Sequence, residues 1–153
     1  ILAMDRIDRE LLNLLQKDSK MSIKELADQL NLTATPVFER IKKLEKNGYI
    51  ERYTAIVNRE KVGKMLLAFC FVSLKEHSQD YILKFENEVI HQKEVMECHH
   101  IAGHFDYLIK ISTADMHSYQ DFLVNKLAKM ENIGNVQSSF VLKEIKNTTK
   151  VDI

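Results

Sequence analysis

The sequence predicts an α+β protein built from two domains. Over the first third of the chain, apolar residues recur at helical spacing in three short runs, each bounded by capping and stop signals. After residue 64 the pattern changes, and short apolar runs typical of strands alternate with two helical runs. The predicted boundaries are 1–50 for the helical domain, 51–64 for a linker strand and hinge, and 65–153 for the second domain.

The composition is ordinary for a globular chain, with 45% hydrophobic and 29% charged residues among 153. No apolar run approaches the roughly 20 residues that span a bilayer, and the N-terminus lacks a secretory pattern, so we expect a cytoplasmic protein with no membrane partner. Cys70 and Cys98 lie in apolar, strand-like runs, which favours a reducing compartment over a disulfide. The formal net charge is +0, so nucleic-acid binding must be judged from local patterns.

The first two helices are marked by their caps. Asp5 is a candidate N-cap for the first helix, whose apolar stripe includes Leu11. Ser22 and Glu25 have the spacing of a capping box that begins the second helix. Asn31 ends that helix, because asparagine tolerates a left-handed backbone better than most residues other than glycine.

A third helix follows a short turn. Thr33 or Thr35 caps it, and Pro36 lies in its first turn, where a missing N–H costs little. Asn47-Gly48 supplies the left-handed residue that ends it. Its predicted buried stripe is Val37, Ile41 and Leu44. Two capped helices joined by a tight turn predict a helix-turn-helix domain of the winged-helix type.

The face of the third helix opposite the buried stripe carries hydroxyl and ammonium groups. Hydroxyls near a helix N-terminus suit base edges, and ammonium groups suit phosphates. A solvated face of a small bundle is the alternative interpretation of the lysines alone, but the capped helix, turn and second capped helix favour double-stranded DNA. The predicted DNA-binding residues are Ser22, Thr33, Thr35, Glu39, Arg40, Lys42, Lys43 and Lys46.

The second domain contains the β-α-β pattern twice. A strand over residues 49–57 and a hinge over 58–64 lead into it. The expected strands are 66–74, 95–101, 105–111 and 136–145, with helices over 78–89 and from Asp115 to Met130. Two such units in tandem predict a ferredoxin-like βαββαβ sandwich. Because helices cover only one face of its sheet, we expect the other face to form a homodimer.

These motifs together resemble the leucine-responsive/asparagine-regulator (Lrp/AsnC) family of bacterial and archaeal transcription regulators. The resemblance covers nearly the whole chain and depends on the order and spacing of the motifs. They are Met4-Asp5-Arg6-Ile7-Asp8, Glu25-Leu26-Ala27, Val37…Arg40-Ile41…Leu44-Glu45…Gly48-Tyr49-Ile50, Gly103-His104-Phe105-Asp106-Tyr107-Leu108, Asp115-Met116…Tyr119 and Ser138-Ser139-Phe140-Val141-Leu142-Lys143. Asn31 stands where the family often has a turn glycine.

The resemblance implies a sequence-specific transcription regulator that acts as a dimer, often as an octamer of four dimers. It also implies an amino-acid effector that changes assembly or DNA binding. We expect no cofactor. Asp106 can accept hydrogen bonds from an α-ammonium group, and Gly103 lets a carboxylate approach backbone N–H groups. A turn glycine and a strand-capping aspartate are the alternative interpretation. The implied effector residues are Gly103, His104, Phe105, Asp106, Met116, Ser138 and Ser139, from one subunit or from neighbouring ones.

A cluster of Cys98, His99, His100 and His104 suggests two further hypotheses. Strand alternation turns Cys98 and His100 to one face and His99 to the other, so a tetrahedral metal site would need ligands from elsewhere, and none is expected. Sirohaem decarboxylases are similar in architecture and use histidines at their substrate, so an enzyme using His99, His100 and His104 is the alternative. The basic third helix and the lack of a nucleophile or phosphate-loop motif favour a regulator that is not an enzyme.

Overall fold

The computed structural model describes residues 4–153. The predicted helix-turn-helix domain begins at residue 1, so its first three positions lie outside the described residues. The chain forms two compact units, which are considered separately. The helical unit comprises the chain up to Ile56 together with Lys146–Ile153, and the sandwich unit comprises Val57–Ile145.

The helical unit contains three helices, and the sandwich unit contains four strands and two helices within the described residues. In chain order they are α1 (Arg6–Lys17), α2 (Ile23–Leu30), α3 (Ala34–Lys46), β1 (Leu66–Leu74), α4 (Gln79–Val89), β2 (Val95–His100), β3 (Tyr107–Thr113), α5 (Met116–Asn125) and β4 (Ile133–Phe140). A 3-10 turn, Leu127–Lys129, follows α5. None of the helices described has the length and apolar character needed to cross a membrane.

Capping boxes begin both α1 and α2, whereas the sequence predicts the box only for α2 and a simple N-cap at Asp5 for α1. The Asp5 carboxylate accepts the N–H of Asp8 at 2.8 Å, and the Asp8 carboxylate accepts the N–H of Asp5 at 3.5 Å. Ser22 Oγ accepts the N–H of Glu25 at 3.2 Å, and the Glu25 carboxylate accepts the N–H of Ser22 at 2.7 Å. Each box satisfies backbone donors that the first helical turn leaves without a partner.

The turn between α2 and α3 also follows the prediction. Asn31 adopts the left-handed conformation, with φ 53° and ψ 43°. Of the two candidate caps, Thr33 is the N-cap of α3, although its side chain makes no capping hydrogen bond. Gly48, with φ +75°, follows the end of α3. The core of the unit consists of Leu11, Leu12, Leu26, Ala27, Val37, Ile41 and Leu44.

The C-terminal segment belongs to the helical unit through contacts with α1. The Gln16 side-chain amide forms two hydrogen bonds with the backbone of Val151, donating to its carbonyl at 3.0 Å and accepting its N–H at 2.7 Å. Asn13 Nδ2 donates to the carbonyl of Ile153 at 3.4 Å. Residues 146–153 therefore belong to the helical unit, whereas the sequence prediction places them in the second domain.

The sandwich unit has a single four-stranded sheet in the order β2-β3-β1-β4. Every neighbouring pair is antiparallel. This order, with both helices on one face, is that of the predicted ferredoxin-like sandwich. The core between sheet and helices consists of Ala68, Cys70, Val72, Leu74, Phe85, Val89, Tyr107, Ile109, Ile111, Tyr119, Phe122, Leu127 and Met130.

The opposite face of the sheet is not covered by a helix. Alternation along β1 places Phe69 and Phe71 on it, and both are half-buried. Leu108 of β3 is the register partner of Phe71, so it lies on the same face. Phe105 packs beside them, with its ring centre 5.4 Å from that of Phe71. The uncovered face is therefore apolar at its centre.

The predicted strand over residues 49–57 is wrong. None of these residues is in a strand, because the described part of the chain provides no neighbouring strand for it to pair with. Tyr53, Ile56 and Val57 remain exposed along this segment. The alternating pattern shows that these residue types are suited to a strand. A strand forms only where its backbone can pair with a neighbouring strand.

Two other strands are shifted from their predicted bounds. The third strand is Tyr107–Thr113 rather than 105–111, and the last is Ile133–Phe140 rather than 136–145. Pairing with β1 sets the bounds of the last strand, since Ile133 is opposite Leu74 and Phe140 is opposite Ala68. β1 begins at Leu66, so it offers little backbone for a longer last strand.

Candidate functional site

The outward face of α3 carries most of the predicted DNA-binding side chains. Its inward face is well defined, because Val37, Ile41 and Leu44 are only 0%, 7% and 3% exposed. The side chains on the other side of the helix are exposed: Thr35, Glu39, Lys42, Lys43 and Lys46. Lys43 and Lys46 form no ion pair with any of the described residues, so their ammonium groups are available to an external anion.

Lys42 differs from the other two lysines because it has partners within α3. Its Nζ lies 3.1 Å from Glu45 Oε2 and 5.6 Å from the centre of the Phe38 ring. The hydrogen bond from Lys42 holds the pKa of Glu45 below its usual range, and the Tyr53 hydroxyl, 3.1 Å away, acts in the same direction. Lys42 is therefore partly neutralised.

Phe38, which is 45% exposed on α3, is not among the residues predicted from the sequence to bind DNA. The signal was present, because Phe38 is a large apolar residue that directly follows the buried Val37 and so lies outside the helical stripe. An exposed aromatic ring among lysines is not accounted for by packing within the chain.

Arg40 does not belong with the outward residues. Its Nη1 lies 2.7 Å from Asp5 Oδ2 and 2.6 Å from Asp8 Oδ1. The hydrogen bonds that Arg40 donates to Asp5 and then Asp8 raise the pKa of Arg40, while the Asp8 N–H and then Arg40 hold the pKa of Asp5 below its usual range. Asp8 is only 7% exposed. These ion pairs fasten α3 to the start of α1, so we propose a positioning role for Arg40, and its DNA contact stays a prediction.

Two of the predicted DNA-binding hydroxyl residues are helix N-caps, Ser22 of α2 and Thr33 of α3, and their side chains differ in their hydrogen bonds. Ser22 is committed to the capping box of α2, where Oγ accepts a backbone N–H and only the hydroxyl proton is left for another acceptor. Thr33 is exposed and makes no capping hydrogen bond. Thr33 is therefore the freer of the two to contact a base or a phosphate.

The second candidate site is the loop between β2 and β3. Gly103 has φ +145°, a conformation that side-chain-bearing residues rarely adopt. The Asp106 carboxylate already has partners, since Oδ2 accepts the N–H of Leu74 at 2.7 Å and Oδ1 lies 3.0 Å from His77 Nε2. Burial raises the pKa of Asp106, but the Leu74 N–H and His77 outweigh it, and the pKa is lowered. Asp106 thus fastens the loop to the end of β1.

A single protomer does not bring the predicted effector residues together. The Gly103–Asp106 loop precedes β3 and Met116 follows it, so a strand of seven residues, roughly 20 Å long, separates them. Ser138 and Ser139 lie on β4, at the far edge of the sheet from β2. They also point to opposite faces, because Ser138 Oγ lies 2.5 Å from the Tyr119 hydroxyl beneath α5. A site that uses all of them needs more than one protomer.

The cysteine–histidine cluster is arranged as strand alternation predicts. Cys98 and His100 are on the core side of β2, and His99 is on the uncovered side. The His100 ring stacks on Tyr107 with a centre distance of 4.7 Å, and burial raises the pKa of Cys98 to about 11, which keeps it a thiol. Within residues 4–153, no three His, Cys, Asp or Glu side chains are grouped as metal ligands.

A helix-turn-helix with a lysine-bearing outward face, followed by a βαββαβ sandwich, defines a DNA-binding transcription regulator. Family models match both parts: residues 4–51 match "Winged helix-turn-helix DNA-binding", and residues 67–151 match "Lrp/AsnC ligand binding domain". The chain belongs to the Lrp/AsnC family of transcription regulators.

Two relatives from Escherichia coli K12 match over 150 residues. The DNA-binding transcriptional activator DecR is 37% identical, over 98% of this chain and 99% of that protein. The leucine-responsive regulatory protein is 35% identical, over 98% of this chain and 92% of that protein. Because these relatives are transcription regulators, the sirohaem-decarboxylase alternative is set aside.

Solved structures agree with the fold in both units. The Neisseria meningitidis transcriptional regulator NMB0573, in complex with L-Met, superposes with a TM-score of 0.94 at 33% identity, covering 98% of this chain and 97% of that one. An AsnC family regulator from Agrobacterium tumefaciens gives a TM-score of 0.93 at 34% identity, with 97% of each chain covered. The predicted α+β class and family resemblance are confirmed.

Replacing Arg40 with alanine should destabilise the helical unit by about 1–3 kcal/mol, because the mostly buried carboxylate of Asp8 loses its charged partner. Hydrogen exchange of the α3 amides measures this locally. Arg6→Ala is the control: its pair with Glu10 is exposed on both sides and should contribute less than about 1 kcal/mol. Equal protection in the two variants would contradict the positioning role.

Proposed function

We propose that this regulator binds double-stranded DNA as a homodimer through α3, and that a free amino acid held by the sandwich changes its assembly or its DNA binding. The observation that carries the DNA-binding part is the arrangement of α3, with a fully buried stripe on one side and Lys43 and Lys46 exposed on the other. DNA as the target and the absence of a spanning helix are compatible with action in the cytoplasm.

Affinity and specificity are assigned to different residues of the helix-turn-helix. Lys43 and Lys46 contact phosphates, which gives binding that is strong at low salt and tolerant of sequence. Thr33 and Thr35 lie at the N-terminal end of α3, the part of a recognition helix that faces base edges. Lys42 contributes less to phosphate binding because Glu45 already pairs with it.

The uncovered sheet face supports a homodimer as the DNA-binding species. Phe69, Phe71 and Leu108 give that face an apolar centre, and a second copy of the same face is the simplest complementary surface. Two-fold symmetry pairs two recognition helices, so the operator should be roughly palindromic, with half-sites about one helical turn or a multiple apart. An octamer of four such dimers is the larger assembly that we propose from the family.

The effector is proposed to be an amino acid bound where protomers meet. The L-Met in the Neisseria meningitidis regulator supports this chemical class. The Gly103–Asp106 loop offers backbone N–H groups for the ligand carboxylate and the Asp106 carboxylate for its ammonium group. A carboxylate accepts about four hydrogen bonds, so Asp106 can keep Leu74 and His77 and still accept from a ligand.

The phosphate role predicts a change in salt dependence. The double variant Lys43→Ala, Lys46→Ala should bind specific and non-specific duplexes more weakly, and the slope of log K against log salt should fall by about two for each protomer, hence by about four for the homodimer. Fluorescence anisotropy across about 50–200 mM salt measures the slope. Lys75→Ala, an exposed lysine just after β1, should leave it unchanged. A wild-type slope in the double variant would show that α3 does not contact phosphates.

The dimer proposal predicts a loss of mass on disrupting the uncovered face. Phe71→Glu should reduce the light-scattering mass to the 17.8 kDa of one chain, because a charge cannot be buried there without a partner. Leu83→Glu, on the outer side of α4 and 48% exposed, is the matched control and should keep the wild-type mass. A wild-type protein that is already monomeric, or a Phe71→Glu protein of unchanged mass, would contradict the proposal.

The sensor proposal predicts a binding defect in Asp106→Asn. Asparagine keeps an acceptor for the Leu74 N–H, so the loop stays fastened, but the lost charge should weaken amino-acid binding by about 10- to 100-fold. Calorimetric titration with each common amino acid, including L-Met and leucine, measures it. Asp80→Asn removes an exposed carboxylate from α4 and is the control. No heat from any amino acid would overturn the sensor, and equal affinity in Asp106→Asn would overturn the role of Asp106.

A further inference from the structure

Phe38 presents an aromatic ring on the DNA-facing half of α3. It is the fifth of the 13 residues of the helix, so it lies in the N-terminal half. It follows the buried Val37 by about 100° around the helix axis, which turns it out of the core. Its surface neighbours, one turn away on either side, are Thr35 and Lys42, and both are exposed.

The surroundings of the ring are charged rather than apolar, and lysines outnumber the acidic residues Glu39 and Glu45 on this part of α3. The ammonium group of Lys42 lies 5.6 Å from the ring centre, a distance at which a cation is attracted to the face of an aromatic ring. Lys43 and Lys46 add two exposed charges on the same outward side of the helix. A surface of this kind repels an ordinary apolar protein partner and attracts a polyanion. The ring is therefore presented to nucleic acid.

We propose that Phe38 contributes to sequence specificity by packing against the C5-methyl group of a thymine in the major groove. The N-terminal part of a recognition helix faces base edges there, and thymine is the only base whose major-groove edge carries a methyl group. The contact removes apolar surface of both groups from water. This inference rests on the proposed function, specifically on α3 as the recognition helix.

The contact discriminates between bases without affecting general affinity. Phosphate contacts supply non-specific binding, and Phe38 has no charge to contribute to them. Burying one methyl group is expected to change affinity by about 3- to 10-fold at the thymine concerned. Loss of Phe38 should therefore relax the preference at one position in each half-site and leave binding to unrelated duplexes within about twofold.

The test uses duplexes that differ only in that methyl group. The full chain first selects a binding site from a pool of random duplexes, and the site is then made again with deoxyuridine in place of single thymidines. Uracil keeps every hydrogen-bonding group of thymine, so the ratio of the two affinities isolates the methyl contact. The ratio also does not depend on the fraction of each protein preparation that is active.

Wild-type protein should bind the thymine duplex about 3- to 10-fold more tightly than the uracil duplex at one position of each half-site. Phe38→Ala should bring that ratio close to one, and Phe38→Leu, which keeps an apolar side chain, should retain part of it. A wild-type ratio of one at every position, or an unchanged ratio in Phe38→Ala, would overturn the assignment of Phe38 alone. Failure of the wild-type protein to select any duplex would overturn the proposed function as well.

Discussion

The hydrogen-bonded ion pairs of Arg40 with Asp5 and Asp8 fix how α3 is rotated in the helical unit, and the DNA-facing surface depends on that rotation. The apolar stripe of α3 supplies most of its stability, but apolar contacts are not directional. Charge-assisted hydrogen bonds are directional, and these two lie at 2.7 and 2.6 Å. Asp8 also closes the capping box of α1, so one carboxylate sets both the start of α1 and the orientation of α3.

Local signals in the sequence predicted the elements whose causes are local. The caps at Asp5 and Ser22 and the left-handed Asn31 follow from residue type and spacing within a few positions. The role of Arg40 was missed because its partners are 32 and 35 residues away, on another helix, and its position on the flank of α3 fits either core or solvent. The docking of Gln16 on Val151 was missed for the same reason, since it joins polar groups 135 residues apart.

The effector site illustrates a different limit on prediction. The family resemblance predicts its residues, but Met116 and the Gly103 loop lie at opposite ends of β3 in one protomer. A ligand that contacts both sets must bridge copies of the chain, and it then binds only the assembled state. Such a ligand stabilises assembly by thermodynamic linkage, with a coupling of roughly 1–3 kcal/mol expected for a regulatory site. The proposed site would thus connect ligand binding to oligomerisation, without requiring a conformational change within a protomer.

The zero net charge of the chain does not exclude DNA binding, because binding depends on local charge. Few of the cations on α3 are unpaired, however. Arg40 and Lys42 are held by carboxylates, which leaves Lys43 and Lys46 as the lysines on that helix without an ion pair to a described residue. If Lys43 and Lys46 each contact one phosphate, as proposed, one protomer contributes a salt slope of only about two. The proposed homodimer would double these contacts, and the side chains near the start of α3 would add the sequence preference. In the proposed function, affinity would therefore depend on dimerisation through the sheet face of the sandwich unit, and specificity on α3 of the helical unit.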